Sequence, residues 1–365
     1  MGRIWPVSQP RLLPLEQWPQ ADLTAWHRAL EDAGPFGPSS VASAWSEDTC
    51  LNIKLGYARW LAWLLEHGED LDQPPPDRIT PARVAAYIAD LRRINSDFTV
   101  LMRISALCDA MRLFTPKRDW GWLRTGRNNL AARCVPVRNK AARIKPVDEL
   151  IKLGRAHMRK AERAPKLPPL SRAVLFRDGL MIVLLAYCPV RLSNLAMITL
   201  GRHLFRRNSG YDLHFSRDEV KWGQPIERSV PTDLVAAFSR YLDHYRPVLL
   251  TRGGLQNLRE CGALWISRKG TPLHRRTIRG RIKEHTRVAF GEHLWPHLFR
   301  DCTTTFVATE APQQVRIVKS LLGHRKMRTS EKHYNQARSL EASRRYQQIL
   351  ADWLDGSVEN GAHDP

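Results

Sequence analysis

From Ser46 onward the apolar positions fall into helical spacing. Tyr57, Trp60, Leu61 and Leu64 recur at i, i+3, i+4 and i+7, and Gly68 supplies a stop. Three prolines between Asp72 and Asp77 break the pattern. Thr80-Pro81 then reads as an N-cap followed by proline at the first helical position, with Val84, Tyr87, Ile88 and Leu91 as the apolar stripe. Ser96-Asp97 opens a third helix with Ile104, Leu107, Cys108 and Met111 on one face, and a fourth is expected from about Asn128 to Cys134. The pattern over 45–134 therefore predicts a small all-α domain, with Trp60 and Trp63 as packing residues. Residues 1–44, rich in Pro, Trp and Gly, read as an N-terminal extension in which Leu23, Trp26, His27 and Leu30 fit a short helix.

Residues 135–147 read as a linker, and a second periodic region starts at Asp148. Leu150, Ile151, Leu153 and Met158 mark one helix, and Leu170 to Tyr187 reads as a buried one. After a short helix over Asn194 to Ile198 the period changes from helical to alternating. Tyr211, Leu213 and Phe215 alternate with polar residues after the turn Asn208-Ser209-Gly210. Trp222-Gly223-Gln224-Pro225 predicts a second turn and Ile226 to Val230 a further strand. Thr232 to Tyr245 reads as an amphipathic helix, Ala263 to Ser267 as a short strand, Thr277 to Phe290 as a helix, and Leu340 to Trp353 as a last one. The second domain is expected over 148–354, with a disordered tail over 355–365. The fold class is mainly α with a small antiparallel β-sheet: an all-α domain, then a mixed α+β domain.

Charge sharpens this picture. Lys and Arg number 57 against 36 Asp and Glu, a net charge of +21. A globular chain this basic points to a polyanion, and nucleic acid is the usual one. The linker carries Arg138, Lys140, Arg143 and Lys145 and no acid, which suits a strap along a phosphate backbone. The six cysteines form no CxxC pair and no zinc-spaced cluster with histidine, so they read as reduced packing residues, and neither a metal nor a cofactor is expected. The N-terminus has no continuous apolar stretch of a signal peptide. The longest apolar run, Leu180 to Cys188, is far short of the ~20 residues of a membrane span. A cytosolic, nucleoid-associated protein without membrane contact is expected.

The candidate chemistry lies in three stretches. Arg191 follows the apolar run. His297-Leu298-Phe299-Arg300 stands downstream, then Leu322-Gly323-His324, with Tyr334 ten positions after His324. A phosphodiester resists attack because it is anionic, so its non-bridging oxygens must be neutralised. Arginine suits this because its planar fork donates two hydrogen bonds and stays charged; Arg191 and Arg300 are the candidates. A tyrosine phenol, with a pKa of about 10, needs a nearby base or a cationic field to become nucleophilic. His297 can take that proton, and His324 can donate to a phosphate oxygen. The leaving oxygen needs a proton, and Lys221 beside the second turn can supply it. Lys269 lies near another turn and is the alternative, whereas Arg217 holds its proton too tightly.

These motifs resemble the phage integrase family of tyrosine recombinases. His297-Leu298-Phe299-Arg300 and Leu322-Gly323-His324 with Tyr334 resemble the family's second box, and Pro189-Val190-Arg191-Leu192-Ser193-Asn194-Leu195 its first. The resemblance covers about Asp148 to Trp353 and makes the preceding helical region a core-binding domain by position. It implies a site-specific recombinase, such as the integrase of a mobile element. Tyr334 would form a 3′-phosphotyrosyl link, Arg191 and Arg300 would clamp the phosphate, Lys221 would be the acid, His297 the base, and His324 a further phosphate contact. It further implies double-stranded DNA as partner, a homotetramer on two DNA sites, and accessory DNA-bending or partner recombinase proteins. The last helix would be donated to a neighbouring protomer. Pro189 stands where the family usually has Gly, Asn194 where an acid is usual, and Asp301 where His is frequent. A type IB topoisomerase and a non-catalytic DNA-binding protein of the same fold are the alternatives; the complete set of residues disfavours the second.

Overall fold

A computed structural model describes residues 12–31, 42, 45–135, 140–208, 210–221, 223, 225–253 and 262–310. The helix and tail expected over 340–365, and His324, Tyr334 and Arg138, lie outside the described residues. The chain divides into two compact units, Met1–Asn139 and Lys140–Pro365. Among the described residues, no helix is long and apolar enough to cross a membrane.

The first unit is helical. Its helices are α1 (Gln20–Leu30), α2 (Glu47–Glu66), α3 (Pro81–Ile94), α4 (Asp97–Phe114) and α5 (Gly121–Arg133). Ser46, Thr80 and Ser96 cap α2, α3 and α4, each accepting from the backbone amide three residues on. Gly68 takes φ +68°, a conformation that ends the α2 turn and disfavours any residue with a Cβ. Tyr57, Trp60, Leu61, Leu64, Tyr87, Leu107 and Met111 are buried together. The Trp60 and Trp63 rings stack 5.2 Å apart.

The segment expected to be an extension supplies part of this core. Leu13, Trp18 and Trp26 are buried in it, and Asp22 on α1 is fully enclosed. Tyr57 Oη donates to Asp22 Oδ1 at 2.5 Å, and Arg78 pairs with the other carboxylate oxygen. A buried carboxylate so held needs both partners, because removing one leaves an uncompensated charge inside.

The second unit begins with α6 (Val147–Arg163) and α7 (Pro169–Tyr187). They cross where Gly154 meets Gly179. A Cβ on Gly154 would stand 2.6 Å from the Gly179 carbonyl oxygen, which cannot move without displacing α7. Gly154→Ala is therefore expected to destabilise the protein by about 1–3 kcal/mol, through forced separation of the helices. Denaturant melting checks this; an unchanged midpoint would mean the crossing is loose.

Helix α8 (Leu192–Met197) leads to the sheet, β1 (Leu204–Arg207), β2 (Gly210–Phe215) and β3 (Ile226–Ser229), antiparallel in the order β1-β2-β3. Leu204 pairs with Leu213 and Phe215 with Ile226. Tyr211, Leu213 and Phe215 all face the core, as their alternation predicts. Then follow α9 (Thr232–Arg240), a π-helical turn (Tyr241–Tyr245) and α10 (Arg246–Leu250). Pro247, which has no amide hydrogen to donate, lies just past this widened turn. The last described helices are α11 (Arg275–Phe290) and α12 (Pro296–Glu310).

The strand expected over 263–267 does not form. Ala263 bridges to Thr199 and Ile266 to Pro272. The first half thus pairs with 198–200 and the second folds back on 271–273, so neither pairing is long enough to make a strand.

A buried polar chain ties α6, α7 and α11 together. His157 Nε2 lies 2.9 Å from His285 Nδ1, and His285 Nε2 lies 2.9 Å from Asp178 Oδ2, which also accepts from Arg281 at 2.7 Å. Burial alone would raise the Asp178 pKa, but Arg177, His285 and Arg281 overcome it and hold the carboxylate well below its ordinary range. Burial, then the charge of His285, lowers His157 to about 4 against the pull of Asp178. An unfolded histidine titrates near pH 6.5. A depressed histidine contributes stability that is full above that value and is lost as pH falls toward 4. The melting temperature should therefore decline between about pH 6.5 and 4, and His157→Gln should flatten that decline. Equal slopes in both proteins would remove His157 from the cause.

Candidate phosphate-binding site

The two arginines come from different parts of the second unit. Arg191 is the N-cap residue of α8, with extended backbone, and is half-buried. Arg300 lies one turn into α12 and is 3% exposed. An arginine this enclosed needs an acceptor. Arg300 Nη1 donates to the Pro189 carbonyl at 2.6 Å, so the backbone two residues before Arg191 holds the side chain of Arg300. The first and second sequence boxes are thereby joined.

Arg191 lies within electrostatic reach of Arg300, and both act on His297. Burial, then the positive charge of Arg191, lowers the Arg300 pKa to about 10; Asp301 opposes this and Arg228 adds to it. The guanidinium stays charged at neutral pH. Burial also lowers the Arg191 pKa. The His297 ring reaches solvent on one side yet loses enough water that its pKa falls. Asp301 resists that fall, and Lys140, Arg300 and Arg191 reinforce it. Arg191, His297 and Arg300 thus share one cationic pocket. In it an unprotonated imidazole stands beside two guanidinium groups, a set able to hold an anion and accept a proton.

Lys221 is placed differently. It is exposed on the connection between β2 and β3, where Gly223 N donates to Val220 O at 3.0 Å and Gly223 takes φ +64°. Its ammonium is not among the charges that principally set the pKa of His297 or Arg300. Nor is that of Lys269, which sits exposed in the turn before Gly270.

Of the basic linker residues, those described have partners within the second unit. Lys140 pairs with Asp301, and Arg143 pairs with Glu292 at 3.3 Å and lies over the Trp295 ring. Lys145 lies over the Phe290 ring, and its amide donates to Cys302 Sγ at 3.5 Å.

Supporting contacts emerge that the motifs did not reveal. Asn194 donates to the Glu219 carbonyl at 3.1 Å, fastening α8 to the base of the β2–β3 connection. Glu219 resists its own burial through bonds from the Ser216 backbone, His203, the Ser216 side chain and Arg202, which hold its pKa down at about 2. Arg228 shares the inward face of β3 with Ile226 and adds positive charge near Arg300. The period-two alternation could have placed Arg228 on that face, but nothing local could have placed Arg300 beside it.

Known proteins are similar to this chain over the same stretch of sequence. Residues 169–341 match the model of the phage integrase family, a stretch that contains Arg191, Lys221, His297, Arg300, His324 and Tyr334. The chain is 34% identical over 126 residues to a tyrosine recombinase XerC of Natranaerobius thermophilus, covering 33% of this chain and 41% of that one. It is 30% identical over 167 residues to a tyrosine recombinase XerD of Pseudomonas putida, covering 45% and 51%. The match spans about half the length of these curated relatives. The fold is similar to that of the XerH site-specific recombinase in its complex with a palindromic difH substrate, with a TM-score of 0.57, 12% identity, and coverage of 93% and 91%. The XerH pre-cleavage complex gives a TM-score of 0.55 at 14% identity, covering 91% and 90%. Over residues 169–341 the chain is thus similar to the phage integrase family, and the relatives it resembles are tyrosine recombinases.

Proposed function

We propose that this protein is a site-specific DNA recombinase that cleaves and rejoins strands through a 3′-phosphotyrosyl intermediate. The observation that carries the reading is the pocket of Arg191, His297 and Arg300, placed inside a phage integrase family match that also contains Tyr334. Arg191 and Arg300 bind the non-bridging oxygens of the scissile phosphate. His297 takes the phenol proton of Tyr334 as its oxygen attacks phosphorus, and Lys221 gives a proton to the departing 5′ oxygen. His324 is a further donor to the phosphate. The phosphotyrosine keeps the energy of the broken bond, so the 5′ hydroxyl can attack it in turn and no ATP is consumed.

In this reading 45–134 is a core-binding domain, 148–354 the catalytic domain, and the partner is double-stranded DNA. Arg138, Lys140, Arg143 and Lys145 keep the connecting segment positive, which favours a phosphate backbone beside it. Strand exchange calls for a homotetramer on two DNA sites, with the helix over 340–353 passed to a neighbour. A mobile-element integrase, active in the cytosol with accessory DNA-bending proteins, is the setting such chemistry fits.

The test is a nicked suicide substrate carrying the recombination site, incubated with chelator. A covalent protein–DNA adduct mapped by peptide analysis to Tyr334 is the expected result. No adduct, or one at another residue, would overturn the reading. Relaxation of plasmids without sequence preference would favour a type IB topoisomerase instead.

A further inference from the structure

Asp301 brings a negative charge to the edge of a pocket otherwise suited to bind an anion. It follows Arg300 on α12, is 8% exposed, and acts electrostatically on both His297 and Arg300. A carboxylate there is a built-in competitor for the phosphate, because it offers the same guanidinium and imidazole groups an acceptor with no substrate bound. The chain answers it from a distant point in the sequence. Lys140 Nζ lies 2.5 Å from Asp301 Oδ2, and the lysine side chain is itself partly exposed.

The segment carrying Lys140 is fastened to the same surface. The contacts of Arg143 with Glu292 and Trp295, and of Lys145 with Phe290 and Cys302, hold residues 140–145 along the end of α11 and the start of α12. Lys140 is therefore delivered to Asp301 by a seated piece of backbone rather than by a lone flexible side chain.

We propose that Lys140 is a positioning residue. Its ammonium engages Asp301 and so keeps that carboxylate from occupying Arg300 and His297, which leaves both for the phosphodiester. The proposal rests on the assignment of Arg300 and His297 to phosphate chemistry. It also makes the segment joining the two units a condition for cleavage. Unseating residues 140–145 would release an uncompensated carboxylate beside the pocket.

The sign of the effect can be worked out. The charges acting on His297 are Asp301, which raises its pKa, and Lys140, Arg300 and Arg191, which lower it. Without Lys140 the His297 pKa rises, so a higher pH is needed to keep the imidazole free to accept a proton. Asp301→Asn moves it the other way.

The experiment compares the full-length wild type with Lys140→Ala, Lys140→Arg, Asp301→Asn and the Lys140→Ala/Asp301→Asn double variant. The first readout is the His297 titration by NMR, assigned by the signal lost in His297→Gln. The second is the pH profile of adduct formation on the nicked substrate. Lys140→Ala should raise the His297 pKa, move the acid limb of the profile to higher pH, and slow cleavage about tenfold at neutral pH. Lys140→Arg, which restores the charge, should match wild type. In the Asp301→Asn background, Lys140→Ala should change the rate less than about threefold, because the competitor is gone. Equal loss from Lys140→Ala in both backgrounds would overturn the proposal, as would an unmoved His297 titration. The NMR readout does not depend on cleavage. A protein that forms no adduct but shows the shifted titration would overturn the recombinase reading and keep the Lys140–Asp301 coupling.

Discussion

Tyr334→Phe is expected to abolish the covalent adduct on a nicked substrate while changing DNA affinity no more than about twofold. Phenylalanine keeps the ring and removes the one oxygen that attacks phosphorus. Loss of a nucleophile in an assembled site removes on the order of 10⁶ in rate. Here the adduct itself should vanish, because no bond to carbon can replace the phosphotyrosine. The phenol loses its proton only with help, since its unperturbed pKa is about 10. His297 is suited to that help because its own pKa is lowered, leaving the imidazole unprotonated at neutral pH. Wild-type adduct formation should therefore hold at neutral pH and fall on an acid limb below the ordinary histidine value of about 6.5. Denaturing gels of labelled DNA read both results. An adduct that persists in Tyr334→Phe would mean that another residue attacks.

Arg300→Ala should slow single-turnover cleavage by about 10²–10³. Arg300 is nearly enclosed, and its bond to the Pro189 carbonyl fixes one edge of the guanidinium. Its pKa of about 10 leaves it cationic at neutral pH, where His297 can serve as base. Alanine removes a charge aimed at the phosphate and also deprives the Pro189 carbonyl of its donor. A lower melting temperature is expected with the lost rate. Arg300→Lys should rescue little, since an ammonium cannot form the planar two-pronged contact. Cleavage by Arg300→Ala within threefold of wild type would exclude Arg300 as a phosphate donor.

Much of the fold was legible because its signals are local. Ser46, Thr80 and Ser96 each announce a helix by a side-chain oxygen placed before an apolar stripe, and each caps a helix. The start of α5 was not legible. It begins at Gly121, seven residues before the expected position, and Leu123 is its one buried residue, so no apolar stripe marks it. The residues 263–267 misled for the opposite reason. Their apolar run is that of a strand, but its two halves pair with different segments, 198–200 and 271–273, which the local sequence does not show.

The site divides along the same line. Arg191, His297 and Arg300 stand in short motifs whose neighbours identify them. Their partners do not. The Pro189 carbonyl lies 111 positions from Arg300 along the chain, and Lys140 answers an aspartate on the last described helix. The positive charge of the linker is plain in the sequence, whereas the acids and rings that Lys140, Arg143 and Lys145 meet are supplied by α11, α12 and the turn between them.

Pro189, where the family usually has glycine, gives the pocket a thermodynamic character. Its ring confines the backbone angle just before the carbonyl that Arg300 grips, so the acceptor cannot swing as a glycine carbonyl can. The guanidinium it holds has little rotational freedom left to lose when an anion arrives. Ordering a long side chain costs roughly 0.5–1.5 kcal/mol on binding. Part of that loss is incurred here during folding. Calorimetry of inorganic phosphate binding should accordingly show a smaller entropic penalty than in a Pro189→Gly variant.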